Sequence, residues 1–205
     1  MRFQNDLEPA RYPGRLILAS SSERRRRLLE QAGYDFDVVV PRIPEDHLHP
    51  DDPRVLAESL AYAKARQAAE RIEHPLVIGA DTVVSLDGHV IGKPERDTEA
   101  RDILRRLSGT THEVITGVCL VNPRRGERLM GADVTRVTLR PLSGEELDAY
   151  VRSGEGLGKA GAYAIQEHGD RFVEKIEGSF TNVVGLPMVM LAELLDAMKK
   201  LIYHE

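Results

Sequence analysis

The feature that most restricts the fold is the run Leu76-Val77-Ile78-Gly79-Ala80-Asp81-Thr82-Val83-Val84, introduced by Pro75. It is strongly β-like and apolar, and it reads as a central strand with a carboxylate, Asp81, where the apolar stretch ends. The segments around it alternate in kind. Arg15 to Ala19 reads as a short buried strand, and any of Ser20, Ser21 or Ser22 can N-cap the helix that follows. That helix carries Leu28, Leu29 and Ala32 on its apolar side and stops at Gly33. Tyr34 to Val40 is a second strand. Asp51-Asp52-Pro53 starts a helix to about Ile72, with Leu56, Leu60 and Ala63 at helical spacing.

Beyond the central strand, Asp87-Gly88 signals a hairpin. Thr98 to Leu107 is a short helix stopped by Gly109. Val114 to Val121 and Met130 to Leu139 are two strands joined by a turn, Ser143 caps a helix to about Arg152, and Leu186 to Leu201 is a final amphipathic helix. Strands alternating with helices, then a hairpin, predict an α/β fold with a mixed sheet and helices on its faces. Pro9, Pro13 and Gly14 argue against regular structure at the start, so the expected organisation is a tail over 1–14 and one domain over 15–205.

Composition narrows the function. The net charge of −5 disfavours a nucleic-acid binder, yet leaves room for a local basic pocket that takes a small anion. No apolar run nears the ~20 residues that cross a bilayer, and no apolar leader is evident, so neither a membrane partner nor a signal peptide is expected. The single cysteine, Cys119, lies in an apolar run and reads as a buried strand residue. These features predict a reducing, cytoplasmic location.

Four segments could carry chemistry. Ser20-Ser21-Ser22-Glu23-Arg24-Arg25 places hydroxyls and guanidinium groups at a helix start, where free N–H groups and the helix dipole favour an anion. A capped helix with a solvated basic face is the plainer alternative. Asp81-Thr82 falls at the expected carboxyl end of the central strand, where ligands of open α/β sheets gather; a buried carboxylate there needs a partner such as a divalent cation, or it caps a turn. Gly92-Lys93-Pro94 and Lys64 offer cations for phosphate, against turn and solvated-surface readings. Lys159-Ala160-Gly161-Ala162-Tyr163-Ala164-Ile165-Gln166 has small residues for close approach and an amide, Gln166, that both donates and accepts, against a close-packed strand pair. Gly178 to Pro187 reads first as positioning the last helix. The seven histidines show no metal-ligand spacing.

Taken together, these segments resemble the Maf family of nucleotide pyrophosphatases. The resemblance rests on Leu18-Ala19-Ser20-Ser21-Ser22-Glu23-Arg24-Arg25, Ala80-Asp81-Thr82-Val83, Gly92-Lys93-Pro94, Leu107 to Val114, Lys159 to Tyr163, and Gly178-Ser179 with Asn182 to Pro187. It implies an elongated mixed sheet flanked by helices, two lobes with a central cleft, and a shape related to the inosine triphosphate pyrophosphatases. It implies that Asp81 is the catalytic carboxylate and that Ser20, Arg24, Lys64 and Lys93 face the phosphates. It further implies that Glu45 and Asp81 hold a divalent metal cation, Mg²⁺ or Mn²⁺. A nucleoside triphosphate substrate and a homodimer follow from the same resemblance.

One branch of the family acts on dTTP and UTP, another on 7-methyl-GTP. Arg24, Thr82 and Gln166 resemble the first branch; the second more often has Trp and Gln at the first two positions. Family members have also been linked with septum formation, so a non-enzymatic regulator of cell division is the reading from another class. Glu23 stands where the family usually has Pro. Both suit a first helical position, and a carboxylate near a triphosphate is expected to point away.

Overall fold

The structure is a computed structural model that describes residues 12, 14–43, 51–70, 72, 75–165 and 168–203. In chain order the elements are β1 (Leu16–Ala19), α1 (Glu23–Gln31), β2 (Phe36–Val39), α2 (Pro53–Ala69), β3 (Leu76–Leu86), β4 (His89–Ile91) and α3 (Asp97–Leu107). Then come β5 (Thr111–Asn122), β6 (Glu127–Leu139), α4 (Gly144–Ser153), β7 (Val173–Glu177), α5 (Phe180–Val184) and α6 (Met188–Tyr203). The strands form one seven-stranded mixed sheet in the order β2-β1-β3-β5-β6-β7, with β4 beside the far half of β3. β2 and β3 pair with β1 in parallel, and the remaining pairs are antiparallel.

Local chemistry accounts for the boundaries. Ser22 caps α1 by accepting from the Arg25 amide, and Gly33 leaves the helix with φ +77°. Asp52 caps α2, with Pro53 at the first turn. Asp87 and Gly88 both have positive φ, as the two central residues of a type I′ hairpin require. Ser143 and Glu146 form a capping box at α4.

β3 is buried on both sides. Its alternation sends Val77, Asp81 and Val83 toward α2, and Ile78, Ala80, Thr82 and Val84 toward the opposite layer. On that opposite layer two apolar clusters share one face of the sheet. One joins α1 and α6 to the β1 end of β3 through Leu28, Leu29, Met188, Leu191 and Leu195. The other joins α3 and α4 to the far ends of β3, β5 and β6 through Leu104, Leu107, Leu147 and Tyr150. These clusters are the two lobes, and a polar belt of Thr82, Thr116 and Asn182 runs between them.

Several sequence expectations need correction. Asp81 lies in the middle of an eleven-residue β3, not at its carboxyl end; the carboxyl end beside it belongs to β1, whose last pairing is Ala19 with Gly79. The buried face of α2 is Ala57, Leu60, Ala61, Ala65 and Ala68, while Leu56 and Ala63 are only half-buried. The alanine face prevails because the helix lies almost directly on the strands. The segment around Ala160–Ala162 is a 3₁₀ turn and not a strand. β7 and α5 are elements that the sequence reading lacked. Cys119 is buried, as expected, and burial pushes its thiol up to about 12.

The contact of α2 with the sheet depends on two glycines. A Cβ on Gly79 would fall 2.1 Å from the Ala61 carbonyl oxygen, and one on Gly117 would fall 2.3 Å from that of Ala57. Both obstacles are backbone, so neither can step aside without moving the helix. Gly79→Ala should therefore destabilise the protein by about 3 kcal/mol or more, at the upper end of overpacking costs. Urea denaturation checks this; the midpoint should fall with little change in slope.

Candidate active site

The cleft opens where the sheet is interrupted. β1 stops pairing at Gly79, and β4 starts at Val84. Over residues 80–83, β3 has no neighbouring strand on that side among the described residues. Side chains from both faces of the sheet therefore reach one cleft of about 280 Å³. Its volume is close to the lower end, ~300 Å³, of small-molecule sites. Ser20, Ser21, Ser22 and Arg24 enter from the β1–α1 turn, Lys64 from α2, Asp81 and Thr82 from β3, and Lys93 from the strand-to-helix loop. Lys159 and Tyr163 enter from the glycine-rich segment.

Six of the eight residues selected from the sequence thus converge: Ser20, Arg24, Lys64, Asp81, Thr82 and Lys93. Glu45 and Gln166 lie outside the described residues. A more open hollow at the opposite end of β3, lined by Tyr12, Asn122, Arg124 and Tyr203 among others, contains none of them.

Asp81 is 2% exposed. Its Oδ1 accepts from the Lys64 ammonium, which rides on the α2 face one turn beyond Ala61. Its Oδ2 is buried without a hydrogen-bond partner among the described residues. A buried carboxylate oxygen in that state carries a desolvation cost that a proton, a water or a cation would relieve. No three His, Cys, Asp or Glu side chains come together among the described residues. The donor set is then one carboxylate oxygen beside a cleft part lined by cations and hydroxyls, which fits Mg²⁺, an ion that keeps several waters and binds through one or two carboxylates plus phosphate oxygens.

Hydroxyl protons can be counted around Arg25. This arginine is 9% exposed, so it does not have the open position of a phosphate clamp. Its Nε donates to the Gly185 carbonyl at 2.6 Å, one terminal nitrogen to Ser20 Oγ at 3.2 Å and the other to Thr82 Oγ1 at 3.0 Å. The sequence presents two guanidinium groups for an anion; both line the cleft, and the structure makes Arg25 a brace through its three hydrogen bonds. Ser20 Oγ accepts from Arg25 and from the Ser22 amide, so its own hydrogen is still available to a ligand. Glu23 turns outward and pairs with Arg26 and Arg27, which removes its charge from the cleft.

The two faces of β3 give the cleft two characters. Asp81, Lys64, Lys93, Arg24 and the serines make a charged part. Val84, Val114, Tyr163, Ile165, Val183 and Val184 make an apolar part, with Thr82 and Arg25 at the junction. Tyr163 is held by His112, whose Nε2 lies 2.8 Å from the phenol oxygen.

The Maf-like protein family profile matches residues 15–198. The chain belongs to the Maf family. A relative from Alkaliphilus metalliredigens, named dTTP/UTP pyrophosphatase, is 45% identical over 88% of this chain and 94% of its own length. A second of that name, from Symbiobacterium thermophilum, is 47% identical over 88% and 92%. Among solved structures, the Staphylococcus aureus Ham1 protein aligns with a TM-score of 0.53 at 15% identity, covering 90% of this chain and all of that one. The last likeness concerns the fold alone: a mixed sheet with helices on its faces and a cleft, as the Maf resemblance implied.

His112 belongs to the Maf segment Thr111-His112-Glu113 and is 1% exposed, and burial pushes it down to about 4. In the unfolded chain it titrates near 6.5. Between these values the unfolded state binds the extra proton, so this residue's contribution is complete above pH 6.5 and is lost as pH falls toward 4. The loss should amount to about 3 kcal/mol at most. Denaturation midpoints at pH 4.5 and 7.5 should differ less in His112→Gln than in the wild type.

Proposed function

We propose that this Maf protein hydrolyses dTTP and UTP to the monophosphate and pyrophosphate. The observation that carries the proposal is Asp81: a buried carboxylate with one oxygen tied to Lys64 and the other without a hydrogen-bond partner among the described residues, on the wall of a cleft whose charged part is lined by hydroxyls and cations. The names of the relatives support the choice of nucleotides.

In the proposed reaction a water oxygen attacks the α-phosphorus, the bond to the bridging oxygen of the β-phosphate breaks, and pyrophosphate leaves. Asp81 Oδ2 takes the proton of the water. Lys64 orients the carboxylate. Ser20 donates its unspent hydrogen to a phosphate oxygen, and Arg24 and Lys93 offset the charge of the triphosphate. Positioning and charge neutralisation are the main sources of acceleration in such chemistry. Asp81 together with Glu45 would hold a Mg²⁺ or Mn²⁺ ion, which would supply positive charge against the phosphate oxygens. We place the enzyme in the cytoplasm, in keeping with its one buried thiol and with the absence of any membrane-length apolar helix among the described residues. A homodimer is proposed on the family resemblance.

Base choice is assigned to Gln166, Thr82 and Arg24. Uracil and thymine present two carbonyl oxygens flanking one N–H, whereas cytosine has an amino group and a bare ring nitrogen. A site built from hydrogen bonds penalises that mismatch. The deciding experiment is pyrophosphate release across a nucleotide panel. dTTP and UTP should have the highest specificity constants; a higher one for 7-methyl-GTP, or no turnover of any triphosphate, would reject the reading. Asp81→Asn should fold and lose at least ~10²-fold in rate. Exhaustive chelation should abolish turnover and added Mg²⁺ or Mn²⁺ restore it; full activity in a preparation shown metal-free by elemental analysis would remove the metal from the scheme.

A further inference from the structure

The hydrogen inventory of the belt between the two lobes determines more than packing. Thr116 is fully buried on β5, directly across from Thr82 on β3. Its Oγ1 lies 3.0 Å from the Asn182 backbone carbonyl. A carbonyl can only accept, so the single hydroxyl hydrogen of Thr116 points there. Thr82 Oγ1 lies 2.9 Å from Thr116 Oγ1. With the Thr116 hydrogen committed, Thr82 must be the donor in that pair. On its other side Thr82 Oγ1 accepts from the Arg25 guanidinium, which has no acceptor to offer. The chain of bonds is thus directional: Arg25 to Thr82, Thr82 to Thr116, Thr116 to the Asn182 carbonyl.

One valence of Thr82 remains, and it is a lone pair. Thr82 is half-buried, lines the cleft and sits where the charged part meets the apolar part. Gly185 leaves this atom room; a Cβ there would come within 3.4 Å of Thr82 Oγ1 and 3.5 Å of Arg25 Nε.

We propose that Thr116, backed by the Asn182 carbonyl, is a positioning residue that fixes the Thr82 hydroxyl as an acceptor, so that the site takes a base with a ring N–H and rejects one with a bare ring nitrogen. This rests on the pyrimidine reading above and deepens it. Uracil and thymine carry hydrogen on N3 and can donate to Thr82. Cytosine carries a lone pair on N3, which would face the lone pair of Thr82, and the hydroxyl cannot turn over without breaking its bond to Thr116. Removing the Thr116 oxygen releases the Thr82 hydrogen, and the threonine can then donate to cytosine N3.

The test compares specificity constants for UTP, CTP and 3-methyl-UTP, in which the N3 hydrogen is replaced. In the wild type, UTP should exceed both of the others by about tenfold or more, the scale of a hydrogen bond whose loss leaves a polar group unpaired. Thr116→Val keeps the shape and removes the oxygen; the UTP to CTP ratio should fall roughly tenfold. Thr116→Ser should keep the wild-type ratio. A merely structural role for Thr116 would lower turnover of UTP and CTP together and leave the ratio alone, and that result overturns the inference. So does 3-methyl-UTP turned over as well as UTP by the wild type, a measurement that needs no variant to fold. An unchanged ratio in a folded Thr116→Val, with the wild type still preferring UTP, would assign base reading to Gln166 and leave the pyrimidine reading standing. A wild type without preference for UTP over CTP would instead reject the pyrimidine reading itself, and this inference with it.

Discussion

The close approach of α2 to the sheet is the constraint on which the rest depends. Two carbonyl groups of the helix lie where side chains of β3 and β5 would otherwise be, and Gly79 and Gly117 make that possible. The helix offers alanines there, so the separation is set by backbone rather than by interdigitating side chains. Because Lys64 follows Ala61 by one turn and Asp81 follows Gly79 by one strand alternation, the same contact that seats the helix brings ammonium and carboxylate together. The ion pair is built from the spacing of small residues. An interaction of this kind, nearly withdrawn from water, depends on such geometry, since the cost of desolvating two charges is recovered only at close and fixed approach.

The second constraint is the interruption beside β3. A continuous sheet would separate its two faces, and Asp81 and Thr82, adjacent in sequence, would then act in different places. With no neighbouring strand on the β1 side over residues 80–83 among the described residues, both faces contribute to one cleft. The charged part draws on the α2 face and on the serine turn after β1. The apolar part draws on the lobe clusters. Arg25 joins them, holding the serine turn, β3 and the loop before α6 with one guanidinium. Its planar fork, with donors spread over three nitrogens, suits it to serve acceptors on three separate segments.

Much of this was legible in the primary sequence, and the parts that were not share a cause. Strong local signals identified five of the six helices and most of their ends: a serine among 20–22, the Asp51-Asp52-Pro53 start and Ser143 at their beginnings, Gly33 and Gly109 as stops, and Asp87-Gly88 as a hairpin. Local rules failed where a long-range contact overrides them. Leu56 and Ala63 have helical spacing, yet the face chosen for burial is the one thin enough to lie on the sheet. Gly79 and Gly117, glycines inside apolar strands, carry the clue to that approach available from sequence. β7, which pairs only with β6, lies in a charged stretch, Val173-Glu174-Lys175-Ile176-Glu177, and becomes a strand through that pairing. Arg25 and Arg24 are neighbours with equal chemistry, and nothing local shows which of them is the brace.

The sequence by itself determined the kinds of element, the presence of a carboxylate in a buried strand, and the set of cations and hydroxyls able to meet a triphosphate, because those follow from residue chemistry and short-range spacing. Only the tertiary structure decided which of them share a cleft, which oxygen of Asp81 has no hydrogen-bond partner among the described residues, and which way the Thr82 and Thr116 hydroxyl hydrogens point. Those properties belong to contacts such as Arg25 with Gly185 and Thr82 with Thr116, made between segments far apart in the chain. A hydroxyl is donor and acceptor alike until its neighbours are known.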